Sequence, residues 1–343
     1  MIHLHFGTDD LTQIRFALSP MWETVTSVRT FTASPPNALH ARWLRQVRPR
    51  VVDAVDLELL TAVVPPAGYL PDFLKPFPPR RAPSFESSLA TIAASDPQLV
   101  AEQLTHLAQH SIAQQQPGRA RRVQILRDLI NAPEAGLARL ILELDRYWRV
   151  AVAPYWRRIR GLLQADLSYR LDQLASGGVR QLFATLHPSV TFERDTLRIV
   201  KYYNRHAHLQ QRGLLLVPCA FAWPEVIVRT ADPQPALTYA PRGLGRLWDA
   251  ARDTNRSPLS DILGHARAAI LAQLDVPMST LHMACQLELT APTVSFHLNR
   301  MHAAGIVAAR RDGRAVLYSR TPLGDQLLTG DGEYISSCPA GLS

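Results

Sequence analysis

Cysteine is scarce in this chain and lysine scarcer still. Three cysteines, Cys219, Cys285 and Cys338, lie far apart and form no CxxC pair. An odd, scattered set argues against a disulfide framework and fits a reducing compartment. The only lysines are Lys75 and Lys201, so the net charge of +8 comes almost wholly from arginine. Arginine suits phosphate, because its planar guanidinium presents paired donors where an ammonium is a point charge. GC-rich coding also favours Arg, Ala and Pro together, so charge alone leaves both readings open.

Long apolar runs are missing too. The most apolar stretch, Gly213 to Val228, is interrupted by Pro218, Pro224 and Glu225, and it is shorter than the ~20 residues needed to span a bilayer. The opening MIHLHFGTDD has no basic segment followed by an apolar core, so no signal peptide is expected. A soluble, cytoplasmic protein with no membrane partner is the expectation. Catalytic signatures are absent as well: no GxSxG, no phosphate-cradling glycine loop and no dinucleotide fingerprint. The chain is therefore not expected to be an enzyme, nor to need a cofactor. With 47% hydrophobic and 19% charged residues, it has material for sizeable cores and too little charge for a disordered protein.

What is present reads as two modules. Ile2, Leu4 and Phe6 alternate with His3 and His5, as in a short strand. Thr8, followed by Asp9 and Asp10, suits a helix N-cap, and a helical pattern runs to about Arg50, with turns at Pro20, Pro35 and Pro36. Residues 65–83 hold too many prolines for regular structure and read as an extended loop anchored by Tyr69, Phe73 and Phe77. Amphipathic helices follow over 84–177, punctuated at Asp96-Pro97, Pro117-Gly118, Asn131-Ala132-Pro133 and Gly177-Gly178. After Pro188, short strands rich in Val, Ile, Thr and aromatics appear, then a short helix over 243–250 and a linker over 254–258. The expected fold class is helix-rich α+β: an N-terminal α+β module over 1–253, helical over 1–187 and β-rich over 188–253, then a smaller module over 257–330 and a frayed tail over 331–343.

The smaller module reads as four elements. A first helix from Ser260 would bury Ile262, Ala266, Ala269, Ile270 and Leu274. Ser279 would cap a short helix carrying Leu281, Ala284 and Leu287. After a turn at Glu288-Leu289, Thr290 would cap a third helix, with Pro292 tolerated in its first turn and Gly305 as its stop. In that helix Val294, Leu298 and Met301 share the core face. Thr293, Ser295, Phe296, Asn299 and Arg300 share the other, a face without acids that suits a DNA major groove. His297 lies at the edge, either contacting phosphate or closing the helix pair. Two alternating segments around Asp312-Gly313 form a hairpin signal, with Arg310, Arg311 and Arg314 at its tip, and Thr321-Pro322 opens a last helix.

The run from Leu289 to Ser319 resembles the recognition helix and wing of the ArsR/SmtB family of winged helix-turn-helix regulators. The T-V-S-x-H-L, A-G-I-V, arginine hairpin and tyrosine of that pattern are met by Thr293, Val294, Ser295, His297, Leu298, Ala304, Gly305, Ile306, Val307, Arg310, Arg311 and Tyr318. The long N-terminal part is similar to extensions on some ArsR-like regulators of high-GC bacteria. The resemblance implies a double-stranded DNA partner and a homodimeric repressor. The expected DNA-binding set is Thr290, Ala291, Pro292, Thr293, Ser295, Phe296, His297, Asn299, Arg300, Arg310, Arg311, Arg314 and Tyr318. The metal sensors of the family carry Cys-x-Cys where this chain has Ser279, Thr280 and Leu281, with His282 next; Cys285 is off register, and the last helix has no histidine. No metal site is expected there. Nor is one expected at Glu102, His106 and His110, or at the pairs His3/His5 and His206/His208, which share a face only if extended. Tyr202, Tyr203, Trp148, Trp156, Trp223 and Trp248 are expected mostly in the core, some lining an effector cavity. The N-terminal module would supply dimer contacts or a small-molecule effector pocket. A rival of another class is an enzyme or scaffold whose winged helix docks a protein partner.

Overall fold

The computed structural model describes residues 1–34, 37–78, 80–109, 119–201, 203–230, 234–248, 258–312 and 315–329. Outside the described residues lie Pro35, Pro36, His110, Pro117, Gly118, Tyr202, Gly313, Arg314 and Cys338, most of the linker and the tail. The fold is mixed α+β, rich in helix, with three separate sheets among the described residues. It divides into two compact units, Met1–Asp249 and Ala250–Ser343. Among the described residues no helix is long and apolar enough to cross a membrane.

The first unit opens with β1 (Ile2–His5), α1 (Thr8–Thr12), β2 (Ile14–Phe16) and α2 (Pro20–Val28). Helices α3 (Ala41–Ala54), α4 (Leu57–Val63), α5 (Phe85–Ala93), α6 (Pro97–Gln109), α7 (Arg119–Asn131), α8 (Pro133–Tyr147) and α9 (Trp156–Ala184) follow. Strands β3 (Val190–Glu193), β4 (Thr196–Ile199), β5 (Arg205–His208), β6 (Leu214–Pro218), β7 (Ile227–Arg229) and β8 (Ala236–Tyr239) complete it. They form two four-stranded sheets, ordered β3-β4-β1-β5 and β2-β6-β8-β7.

Helices fill most of residues 1–187 and strands dominate 188–253, as expected, but β1 and β2 at the start of the chain are built into the sheets of the later strands. β1 pairs antiparallel with β4 and parallel with β5, and β2 pairs parallel with β6. Parallel partners need a long crossover, and here the helices α2 to α9 are that crossover. The opening strands are therefore completed only by segments some 200 residues later. Strand β5 (RHAH) escaped the sequence reading because no apolar alternation marks it.

Local details show how the first residues are held. The cap of α1 is Gly7, one residue before the expected Thr8, and its amide donates to Asp10 Oδ2 at 2.8 Å. Asp10 Oδ1 accepts the Gly213 amide at 2.9 Å, tying α1 to the start of β6. Gly213 sits at φ +64°, where a Cβ would meet Gln13 O at 2.1 Å, so only glycine fits that crossing. Ser19 caps α2, accepting the Trp22 amide at 3.2 Å, with Pro20 at the first position. Gly178, at φ +65° and ψ −165°, kinks α9, and helix continues beyond it to Ala184. Leu182, Phe183 and Leu186 then pack against Ile2, Leu4, Leu197, Leu214 and Leu237, so both sheets share one core.

The second unit contains α10 (Pro258–Leu263), α11 (His265–Gln273), β9 (Met278–Ser279), α12 (Thr280–Leu287), α13 (Ala291–Ala303), β10 (Val307–Asp312), β11 (Ala315–Arg320) and α14 (Pro322–Thr329). Its sheet has the order β10-β11-β9. The expected single first helix is broken at Gly264 (φ +81°, ψ 152°). As a result Ile262 is 79% exposed instead of buried, and Ile270, Leu271 and Leu274 form the inner face. Leu281 is also exposed, and Met283 and Leu287 are buried in α12. Arg320 clamps the unit: it bonds Asp275 and Asp325 at 2.6 Å each and donates to Leu271 O at 3.0 Å.

Candidate functional site

The site that the sequence singles out begins at the end of β9. Ser279 accepts the His282 amide at 3.3 Å and starts α12. The helix stops where Glu288 turns left-handed at φ 56°, and the Leu289 amide closes onto Ala284 O at 3.0 Å, a Schellman-type ending. Thr290 then caps α13 through the Thr293 amide at 3.4 Å. A short turn thus joins two capped helices.

Along α13, Val294, Leu298 and Met301 are buried. Thr290, Ala291, Pro292, Thr293, Asn299 and Arg300 are exposed, Phe296 is 51% exposed, and Ser295 and His297 are half-buried. No acid occurs between Thr290 and Ala304, so nothing on this segment cancels the positive end of the helix dipole or the Arg300 charge. The Arg300 guanidinium carbon lies 5.1 Å from the Phe296 ring centroid, a cation–π contact worth roughly 0.5–1 kcal/mol at an exposed site, which holds both side chains out together. His297 turns inward: its Nδ1 is buried without a hydrogen-bond partner among the described residues. Burial first, and the charge of Arg267 second, push its pKa down, which favours the neutral ring.

The hairpin is joined firmly to α13. His302 Nδ1 lies 3.0 Å from Val307 O, and the Ile306 amide donates to Met301 O at 2.9 Å. β10 and β11 pair from Val307↔Arg320 to Asp312↔Ala315. Successive residues of a strand point to opposite faces, so Arg310 and Arg311, both exposed, project from opposite sides of the hairpin and do not form one cluster. The expected tip, with Gly313 and Arg314, lies outside the described residues. Tyr318 requires a correction: it is 8% exposed, because it shares the inner face with Val307 and pairs with the buried Met278, and it is no surface contact.

Elsewhere the candidate ligands scatter. Glu102 accepts from Gln98, and the His106 ring packs edge-on against Tyr69 at 4.6 Å. Among the described residues, no three His, Cys, Asp or Glu stand where they could hold a metal ion. The His pairs do meet: β1 and β5 put His3 opposite His206 and His5 opposite His208. Their rings stack at 4.5 and 4.8 Å, and His5 Nε2 lies 3.3 Å from His206 Nδ1. Of the tryptophans, Trp148, Trp223 and Trp248 are buried as expected, whereas Tyr203 is 40% exposed.

One polar cluster of the first unit had no sequence signal. Glu23, fully buried, accepts the Ala220 amide at 2.6 Å, the Phe221 amide at 3.3 Å and the Cys219 thiol at 3.2 Å. Burial pushes the Glu23 carboxyl up to about 7 and the Cys219 thiol well above its usual value.

Comparison with known proteins addresses the first unit alone. Residues 85–242, from the start of α5 to just past β8, match the model of a family described as a family of unknown function (DUF5937). No curated protein and no solved structure matches the chain.

Proposed function

We propose that residues 257–330 form a winged helix-turn-helix and that the protein is a sequence-specific DNA-binding transcriptional regulator. One observation carries this reading: α13 is a doubly bounded, acid-free helix that exposes Thr293, Phe296, Asn299 and Arg300, directly after a tight helix-to-helix turn and directly before an arginine-bearing hairpin. The resemblance of the same residues to ArsR/SmtB regulators points the same way.

In this mechanism α13 enters the major groove. Arg300 would pair with the O6 and N7 of guanine, Asn299 with the N6 and N7 of adenine, and Phe296 with a thymine methyl. The Phe296–Arg300 contact reduces the ordering needed on binding. Thr290 and the Ala291 amide at the start of α13 suit a backbone phosphate, since Pro292 has no N–H and the Thr293 amide closes the cap. Arg310 and Arg311 would serve the phosphate backbone, which sets register but not sequence. The regulator is a homodimer in this reading, placing two such helices on half-sites about 34 Å apart, one duplex turn. It represses by occupying a promoter, and its signal is not a metal.

Gel shifts with the intact protein and genomic fragments upstream of its own gene provide the test. Salt-sensitive binding that resists nonspecific competitor is expected. Arg300→Ala should cost about 1–3 kcal/mol at one base position. Arg310→Ala and Arg311→Ala should weaken all sequences, and unequally, since the two side chains leave opposite faces of the hairpin. Absence of any such binding would favour a protein-docking role for the same surface.

A further inference from the structure

The first unit has one edge that none of the foregoing uses. β2 is one edge strand of its sheet, and beside it lies a pocket of about 350 Å³. Its floor is apolar, with Leu167 of α9 and Leu215 of β6 both buried. Phe16 and Phe77 stand as half-buried walls, and Leu171 lies at the rim, 42% exposed. The size is at the small end of the range that holds organic ligands.

Among the described residues, the charged groups that line this apolar floor are Arg15, Arg80 and Arg81, with no acid beside them. Arg80 and Arg81 have no ion-pair partner among the described residues. Arg15 is aimed by a bond from its Nη2 to Gln234 Oε1, while the Gln234 amide nitrogen is held by Arg212 O. Gln234 is itself buried, so the guanidinium of Arg15 is set by the sheet and not by solvent. The 77–81 segment is likewise fastened: the Leu18 amide donates to Arg81 O at 2.8 Å, and Phe77 packs against the cluster of Ala17, Trp22 and Leu215. Three arginines at the lining of one apolar slot complement a small molecule with one anionic end and one greasy end. A bare phosphate would leave the slot unfilled, and a neutral hydrocarbon would leave the arginines without a partner.

We infer that this pocket binds an apolar carboxylic acid, an aryl or medium-chain acyl carboxylate. The carboxylate accepts from the fork of Arg15 or Arg81, and the apolar body lies on Leu167, Leu215 and Phe77. That such a ligand is the signal of the regulator rests on the function proposed above; the binding itself does not.

Calorimetric titration of the intact protein without DNA separates the two. The probes are 4-phenylbutyrate and octanoate, with 4-phenylbutanol as the uncharged counterpart and inorganic phosphate as the charge without the body. At least one acid is expected to bind tenfold or more tightly than either control, and added salt should weaken it. Arg15→Gln combined with Arg81→Gln should reduce that affinity at least tenfold. Leu171→Asp, which places a carboxylate at an exposed position on the rim, should reduce it similarly without unfolding the chain. Three results would overturn the inference: neither acid binding at millimolar concentration, equal affinity for the alcohol or for phosphate, or unchanged affinity in the folded variants. A gel shift run in parallel, with and without the bound acid, reports on the regulator role independently.

Discussion

Glu23 is a fully buried carboxyl of the first unit. Its carboxyl keeps its proton up to about pH 7 when folded, against 4.5 ordinarily. Between those values the folded state holds more protons than the unfolded chain, so this group makes stability fall as pH rises through that window. The full penalty, on the order of 3 kcal/mol, stands above pH 7. His40, which burial pushes down to about 3, acts oppositely: the unfolded chain binds more protons between pH 3 and 6.5, so its contribution rises with pH there. The two slopes cancel where they overlap. The clean measurement is therefore a difference. Glu23→Gln, melted in parallel with the parent, should gain relative stability steadily from pH 4.5 to 7 and then level off. A difference independent of pH would mean that Glu23 titrates as an ordinary carboxylate. A second buried group, Asp166, accepts from Tyr239 and from the Arg242 amide and sits 3.5 Å from Arg170. This joins α9 to the end of β8 through charges that no periodicity in the sequence announces.

Among the elements, the helices were the most legible. Ser279, Thr290 and Pro292 all sit where cap chemistry requires them, since a cap is a contact among residues three apart. The first helix of the second unit was misjudged because its apolar spacing continues through Gly264 while the backbone does not. At φ +81° and ψ 152° that residue occupies a region open in practice to glycine alone. A Cβ there would meet nothing within 4 Å, so Gly264→Ala carries a purely conformational cost, about 1–3 kcal/mol. Thermal unfolding should show that loss confined to the second unit; an unchanged transition would mean that the break between α10 and α11 relaxes freely. Tyr318 was misplaced for a related reason. The strand alternation was evident, but which face is covered depends on Met278, from a strand of only two residues.

At the scale of the molecule, β1 is the most consequential element of the first unit. It lies between β4 and β5, and Ile2 and Leu4 are buried in the common core. Deleting residues 1–6 should therefore abolish the cooperative melt of the first unit, not merely trim it, because the sheet loses a central strand and both neighbours lose their ladders. Near-ultraviolet circular dichroism of the truncated chain gives the check: a retained tertiary signal would show that β4 and β5 can close without it. The sequence alone determined the solvent face of α13, the caps around it and the helix breaks at Asp96-Pro97 and Asn131-Ala132-Pro133, because each follows from interactions within a few residues. Only the tertiary structure decided that the first sixteen residues complete two sheets built mainly from residues 190–239, that Arg310 and Arg311 face apart, and that Arg15, Arg80 and Arg81 surround one pocket. Those are pairings between segments remote along the chain, and they are selected by burial and register, for which no local pattern stands as a proxy.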